Sequence, residues 1–210
     1  TAISTIFSAI QALISCLISA CCKSDCKCCQ LFLQWPVVMD ESRDHELILR
    51  CRHGDRQALG ELIKEYERPI YNAAFRILGN PDDAADVTQT VFMKVFERID
   101  QYNPEYKFFS WIYRIAINES INQRNRSKDL QSYEDEHAST GSDPEDSIDA
   151  EKLANVIQAS LMELQEDYRV VVVLRHFSEM SYHDISGILS IPEKTVKSRL
   201  YSARQLMKAQ

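Results

Sequence analysis

Apolar residues along this chain return at intervals of three and four and are nowhere sustained at intervals of two, so helices are expected throughout. In residues 1–22, Ile3, Ile6, Phe7, Ile10, Leu13, Ile14, Leu17 and Ile18 make one stripe, and seven Ser, Thr and Gln residues fill the other face. That predicts an uncharged amphipathic helix without stable membrane insertion. A signal peptide is not expected, because the basic leading region is missing. After Met39 the pattern becomes a series of shorter helices. The first is expected over 44–53 and the second to about 78, with Leu59, Leu62, Ile63, Tyr66, Ile70, Ala73, Ala74 and Ile77 as its stripe. A third is expected over 81–99 on Ala84, Val87, Val91, Phe92, Val95 and Ile99, and a fourth over about 107–125. Four more are expected over 150–164, 167–178, 181–189 and 193–208. The run Val170–Val173 is too short to outweigh its helical flanks.

The stops and starts between these stripes are chemically explicit. Gly54 followed by Asp55 reads as a C-terminal cap and then an N-terminal cap. In Gly79-Asn80-Pro81-Asp82-Asp83 a glycine ends one helix; Asn caps the next, with Pro in its first position and acids in its first turn. Pro69 predicts a kink in the second helix. Ser181 caps the seventh, and Ser190-Ile191-Pro192 makes the turn into the last. Residues 129–149, acidic and Ser-containing, have little to bury and read as a flexible linker. The expected organisation is therefore all-α: a Cys-rich extension over 1–38 outside the folded pattern, a helical domain over 39–128, the acidic linker over 129–149, and a second helical domain over 150–210.

Charge sharpens this picture. The 210 residues carry a net charge of −7, but residues 129–151 hold nine acids and no Lys or Arg, and setting that block aside leaves +2. Residues 194–210 carry five bases and no acid. Such asymmetry points to a polyanion-binding end and an acidic spacer. The five glycines stand at least six residues apart, which excludes a Walker loop and a dinucleotide-binding turn. Neither H-E-x-x-H nor G-x-S-x-G occurs. No catalytic role and no cofactor is expected. Cys22, Cys26 and Cys29 have the spacing of part of a metal site, but no second Cys/His pair follows, so no metal is expected either.

Three constellations carry the functional reading. In the last helix Val196, Leu200, Ala203 and Met207 form a buried stripe, while Lys194, Lys197, Ser198, Tyr201 and Gln205 form an outward one. A short helix, a tight turn and a basic second helix are the parts of a helix-turn-helix that enters the major groove. The alternative is a helical hairpin with a solvated basic face; the absence of acids favours DNA. Next, Tyr102, Tyr106, Phe108, Phe109, Trp111 and Tyr113 put six aromatics into twelve residues, with Lys107 and Arg114 among them and Arg124, Arg126 and Lys128 behind. Rings beside cations suit single-stranded DNA, although about half should be core. Lastly, Asp86, Gln89 and Thr90 share one polar helix face opposite Val87 and Val91.

Residues 44–128 and 150–210 resemble the two conserved domains of bacterial extracytoplasmic-function (ECF) sigma factors. The likeness rests on Gly54-Asp55 with Ala58-Leu59, Gly79-Asn80 with Asp86-Val-Thr-Gln89, and Phe109-Ser-Trp111-Ile-Tyr-Arg114-Ile-Ala116. It extends to Ser181-Tyr182 with Ile185, Ile191-Pro192, and Thr195-Val196-Lys197-Ser198-Arg199-Leu200. Lys194 stands where the family often has glycine, and Ser202 where a basic residue is common. The resemblance implies a sigma region 2-like bundle and a region 4-like helix-turn-helix. Asp86, Gln89 and Thr90 would dock on the clamp helices of the RNA polymerase β′ subunit, with further contact to the β subunit. Tyr102, Tyr106, Lys107, Phe108, Phe109, Asn118, Arg124, Arg126 and Lys128 would hold the opened −10 element, where a base flips out at a cost of a few kcal/mol. Lys194, Thr195, Lys197, Ser198, Arg199, Tyr201 and Arg204 would read the −35 element. An anti-sigma factor would be a further partner, and the cytoplasm the place of action. Two other readings stay open here: a helix-turn-helix regulator acting without polymerase, and a metal- or redox-responsive protein using the cysteines.

Overall fold

The computed structural model describes residues 41–131 and 150–209. Among them there is no β-strand. The first four helices are α1 (Glu41–Arg52), α2 (Arg56–Leu78), α3 (Pro81–Arg98) and α4 (Phe108–Gln131), with a 3₁₀ turn, Ile99–Gln101, after α3. The rest are α5 (Ala150–Glu163), α6 (Glu166–Val172), a π-turn over Val173–Phe177, α7 (Tyr182–Leu189) and α8 (Glu193–Ala209). Residues 1–38, with the apolar stripe and Cys22, Cys26 and Cys29, lie outside the described residues, as does 132–149, most of the acidic run.

The expected punctuation is present. Asp55 accepts from the backbone N–H groups of Gln57 and Ala58. Asn80 does the same for Asp82 and Asp83, with Pro81 in the first turn. Gly79 closes α2 at φ +79°, a left-handed conformation that L side chains rarely adopt. Helix α2 runs on through Pro69 without interruption.

Three boundaries differ from the sequence reading; α1 starts three residues before 44, at Glu41. Helix α4 continues six residues past 125, to Gln131, so the first residues of the expected linker are helical. Arg124, Arg126 and Lys128 stand in its last two turns, where cations favour the helix end. The helix expected over 167–178 gives way after Val172 to the π-turn, where the Ser178 N–H bonds back to the Val173 carbonyl.

Residues 41–131 and 160–209 belong to one compact unit. Its first core packs α1–α4 around Leu47, Leu62, Tyr66, Ile70, Ala73, Ile77, Val87, Val91, Val95, Ile112 and Ala116, all buried. A second core gathers Leu161, Leu164, Val170–Leu174, Ile185, Ile188, Val196, Leu200 and Ala203. The buried valine run is thus the spine of the second helical bundle. The described part of α5 before Ser160 belongs to a separate unit.

Candidate nucleic-acid interface

Helix α8 keeps its two faces apart as the spacing requires. Val196, Leu200 and Ala203 are buried, whereas Lys194, Lys197, Ser198, Tyr201 and Gln205 are exposed, Tyr201 by 65%. The helix is presented by α7: Ser181 accepts from the Asp184 N–H at one end, and Ser190 turns left-handed (φ +54°) at the other. The Ser186 hydroxyl donates to the Ile191 carbonyl at 2.6 Å and pins the turn. The Lys197 ammonium lies 5.4 Å from the Tyr182 ring centroid and 3.8 Å from Glu193. Arg199 and Arg204 point elsewhere. Arg199 is ion-paired at 2.6 Å with Asp167 of α6. Arg204 is half-buried, with a guanidinium nitrogen 3.4 Å from Nε2 of His176. Burial first, then Arg204 and Arg175, pushes the His176 pKa down to about 4, so its ring is neutral near pH 7. Thr195 is half-buried at the start of the helix.

The aromatic segment divides differently from the expected half. Tyr102, Phe108, Phe109 and Tyr113 are buried and Trp111 is half-buried; among the six rings Tyr106 stands out in solvent, 66% exposed. Phe108 packs edge-on against Tyr66 (5.3 Å) and Tyr102 (5.6 Å), with Trp111 5.7 Å away. Tyr102, Phe108 and Phe109, expected as stacking platforms, are buried in this structure and build the first core. The physical reason is local. The turn between α3 and α4 is pulled in by Arg52, which donates to the carbonyls of Ile99 and Tyr102, and by the Tyr102 hydroxyl, which donates to the Tyr106 carbonyl. Burial pushes the Tyr113 pKa up to about 12, so its hydroxyl stays protonated. Lys107 remains accessible, 5.6 Å from the Phe109 centroid and 3.2 Å from Glu41. Asn118 and Arg126 are exposed on α4, Arg124 is half-buried, and Lys128 lies in the same helix.

The third constellation lies on α3. Asp86 and Gln89 are exposed, and Thr90, half-buried, donates its hydroxyl to the Asp86 carbonyl. One and two turns further on stand Met93 and Phe96, 63% and 62% exposed. They were not singled out from sequence, because Phe96 falls next to the buried Val95 and the three-four spacing assigns neither residue clearly. An excess of apolar residues around one helix is the only available signal. Together Asp86, Gln89, Met93 and Phe96 form a strip, polar at one end and apolar at the other.

Among the described residues no group of three or more His, Cys, Asp or Glu is placed to hold a metal ion. Nor is any described helix long and apolar enough to cross a membrane.

Residues 62–129 match the family described as Sigma-70 region 2, and residues 154–207 match Sigma-70, region 4. The chain is 33% identical over 175 residues to the ECF RNA polymerase sigma factor SigW of Bacillus subtilis, covering 78% of this chain and 94% of that protein. It is 29% identical over 178 residues to the ECF RNA polymerase sigma-E factor of Escherichia coli K12, covering 79% and 93%. Two solved structures share the fold. CnrH in complex with the cytosolic domain of CnrY has a TM-score of 0.62 at 23% identity, over 80% of this chain and 96% of that one. The sigma factor RpoE in complex with the anti-sigma factor NepR from Bartonella quintana has a TM-score of 0.58 at 23% identity, over 71% and 94%. The two family matches fall in order on the two helical bundles, with the relatives spanned almost end to end, and the chain belongs to the ECF sigma factors of the sigma-70 family.

Proposed function

We propose that this sigma factor docks on core RNA polymerase through the α3 strip, holds the opened −10 strand along the α3–α4 turn and α4, and reads the −35 duplex with the outer face of α8. The polymerase supplies the chemistry, and this chain supplies position and strand capture without catalysis of its own. The observation that carries the docking assignment is the pair of exposed apolar side chains, Met93 and Phe96, continuing the face of Asp86 and Gln89. Two exposed hydrophobes on a rigid helix, rimmed by polar groups, are what a partner's helical surface buries. For the −10 element the accessible set is Tyr106, Lys107, Asn118 and Arg126. For the −35 element it is Lys194, Lys197, Ser198 and Tyr201. The buried rings serve by holding that turn in shape.

An anti-sigma protein is a further proposed partner, supported by the two solved relatives of like fold, one of them named as an anti-sigma complex. A cytoplasmic place of action is part of the same proposal, because promoter and polymerase meet there. The reading without polymerase leaves the α3 strip unused, and the family membership disfavours it.

Run-off transcription with purified core polymerase and a promoter library tests the whole reading. Asp86→Ala/Gln89→Ala and, separately, Phe96→Asp should each weaken core binding at least tenfold with unchanged helical circular dichroism. Unaltered core affinity in both variants would remove the docking face from α3.

A further inference from the structure

Resting on the −35 assignment above, we propose that Glu193 reads a cytosine in the major groove, as the acidic partner of Lys197 at the entrance of α8. Glu193 is the one acid in α8 and stands in its first turn, one turn before Lys197 on the same face. Residues at the start of a recognition helix are those that reach base edges. The carboxylate is oriented from two sides. The Lys197 ammonium lies 3.8 Å from one of its oxygens and Nδ1 of His183 lies 3.4 Å from the other, while the side chain stays 44% exposed. Lys197 is steadied in turn by the Tyr182 ring, 5.4 Å away. Arg175 stands 5.0 Å from the same ring centroid and donates to the Met180 carbonyl at 2.6 Å. The start of α7 thus helps to present an acid and a base side by side at the mouth of α8.

An acid in the first turn favours a helix through its dipole. On a DNA-binding face the same charge is repelled by phosphates, unless the carboxylate finds a donor there. An ionised carboxylate only accepts hydrogen bonds. The donors in the major groove are the amino groups of cytosine and adenine, whereas guanine and thymine offer acceptors. Adenine sets its N7 acceptor beside the amino group and cytosine does not, so cytosine is the base that fits. Lys197 has the opposite need: its ammonium only donates, and guanine O6 and N7 are the acceptors that suit it. The two residues are about 6 Å apart along the helix axis, within two base-pair steps of about 3.4 Å. When Lys197 moves onto its guanine, Glu193 loses one cationic neighbour. It then meets either a cytosine amino group or an acceptor edge that repels it. The wrong base is thereby rejected, not merely left unread.

The test uses the full chain bound to core polymerase and promoter duplexes in which each −35 position carries each base in turn. The wild type should prefer cytosine about tenfold over guanine or thymine at one position, within two steps of the position that Lys197→Ala relaxes. Glu193→Ala should level that preference to within about twofold, by raising the affinity of the guanine and thymine duplexes. Glu193→Gln should move the preference to adenine, whose N6 and N7 suit an amide. An even gain for every duplex in both variants, or a wild type without a cytosine position, would overturn the proposal. So would an unchanged cytosine preference with a lowered melting temperature, which would leave Glu193 a helix-end charge. A wild type with no base preference anywhere in the −35 region would overturn the −35 assignment of α8 itself.

Discussion

Arg169→Met should be among the most damaging single substitutions in the chain. The guanidinium is wholly buried, yet every hydrogen bond it donates goes to a backbone carbonyl: Leu161 (2.7 Å), Met162 (2.6 Å), Leu164 (2.8 Å) and Ile77 (2.7 Å). Leu161 and Met162 lie in the last turn of α5, Leu164 just beyond it and Ile77 in the last turn of α2, and helix C-termini carry about half a negative charge each. One cation thus caps two helix ends, where intrahelical donors run out. Methionine keeps much of the volume and removes all four bonds. The Leu161 carbonyl keeps the Leu164 N–H and the Ile77 carbonyl keeps Arg124, so the loss falls mainly on Met162 and Leu164; an orphaned buried acceptor costs about 1–3 kcal/mol, partly offset because the guanidinium need no longer be desolvated. The net loss should resemble that of breaking one side of a buried charge network, about 3–5 kcal/mol. Against a total stability of about 5–15 kcal/mol this is a large fraction. Urea unfolding followed by helical circular dichroism measures it. Arg169→Lys should recover only part, because a compact ammonium does not span four carbonyls fixed around a planar fork. A loss below about 1 kcal/mol for Arg169→Met would refute the reasoning, since the carbonyls would then have found other donors.

Acid should loosen the second bundle through His176. Its folded pKa is depressed to about 4 from an unfolded value near 6.5, so its contribution is complete above pH 6.5 and is lost as the pH falls from there through 4, by at most about 3 kcal/mol. His176→Gln should flatten the stability profile between pH 7 and 4.5 in urea titrations, and a slope equal to wild type would discard the idea. On α8, Lys197→Ala should relax preference at one or two −35 positions by about 1–3 kcal/mol, whereas Lys194→Ala should lower affinity evenly and flatten the log–log salt slope by about one. Binding to a −35 duplex library at several salt concentrations separates them, and exchanged phenotypes would shift the helix register by one turn. Val196→Asp, on the buried stripe, should instead unfold the second bundle, visible as lost helicity.

The features legible in the sequence are those that depend on near neighbours. Caps at Asp55, Asn80 and Ser181, the left-handed Gly54 and Gly79, and the two faces of α8 each need only residues within a turn or two. The fate of the aromatic cluster does not. Whether Tyr102 and Phe108 face a base or a core depends on Tyr66 of α2 and on Arg52 of α1, about 36 and 50 residues away, which no local pattern announces. Arg169 was invisible for the same reason: a basic residue beside a valine run reads as a solvated edge until two helix ends converge on it. Arg199 and Arg204 count as DNA-facing in a tally of charge, but Asp167 and His176 claim them from other helices. Charge composition singles out α8, and side-chain geometry separates the cations on it that are held by other helices from those that are exposed.

That selection bears on how the factor discriminates promoters. Lys107 has Glu41 and Asp184 beside it, Arg124 has Glu166, Lys197 has Glu193, and Arg199 has Asp167. A phosphate or base that takes one of these cations displaces a tethered carboxylate and not a bulk ion. On the proposed assignment, counterion release should be smaller than a count of Lys and Arg suggests, and non-specific affinity lower. Only an arrangement that supplies several contacts together repays the displaced pairs, so each internal carboxylate penalises the wrong sequence more than the right one. Lys194 makes no ion pair among the described residues, and it is one of the departures from the family pattern. On the proposed assignment it should add attraction for any duplex at the entrance of α8 without adding discrimination. If Lys197 reads the −35 element as proposed, its ammonium must leave Glu193 and the Tyr182 ring to reach a base edge.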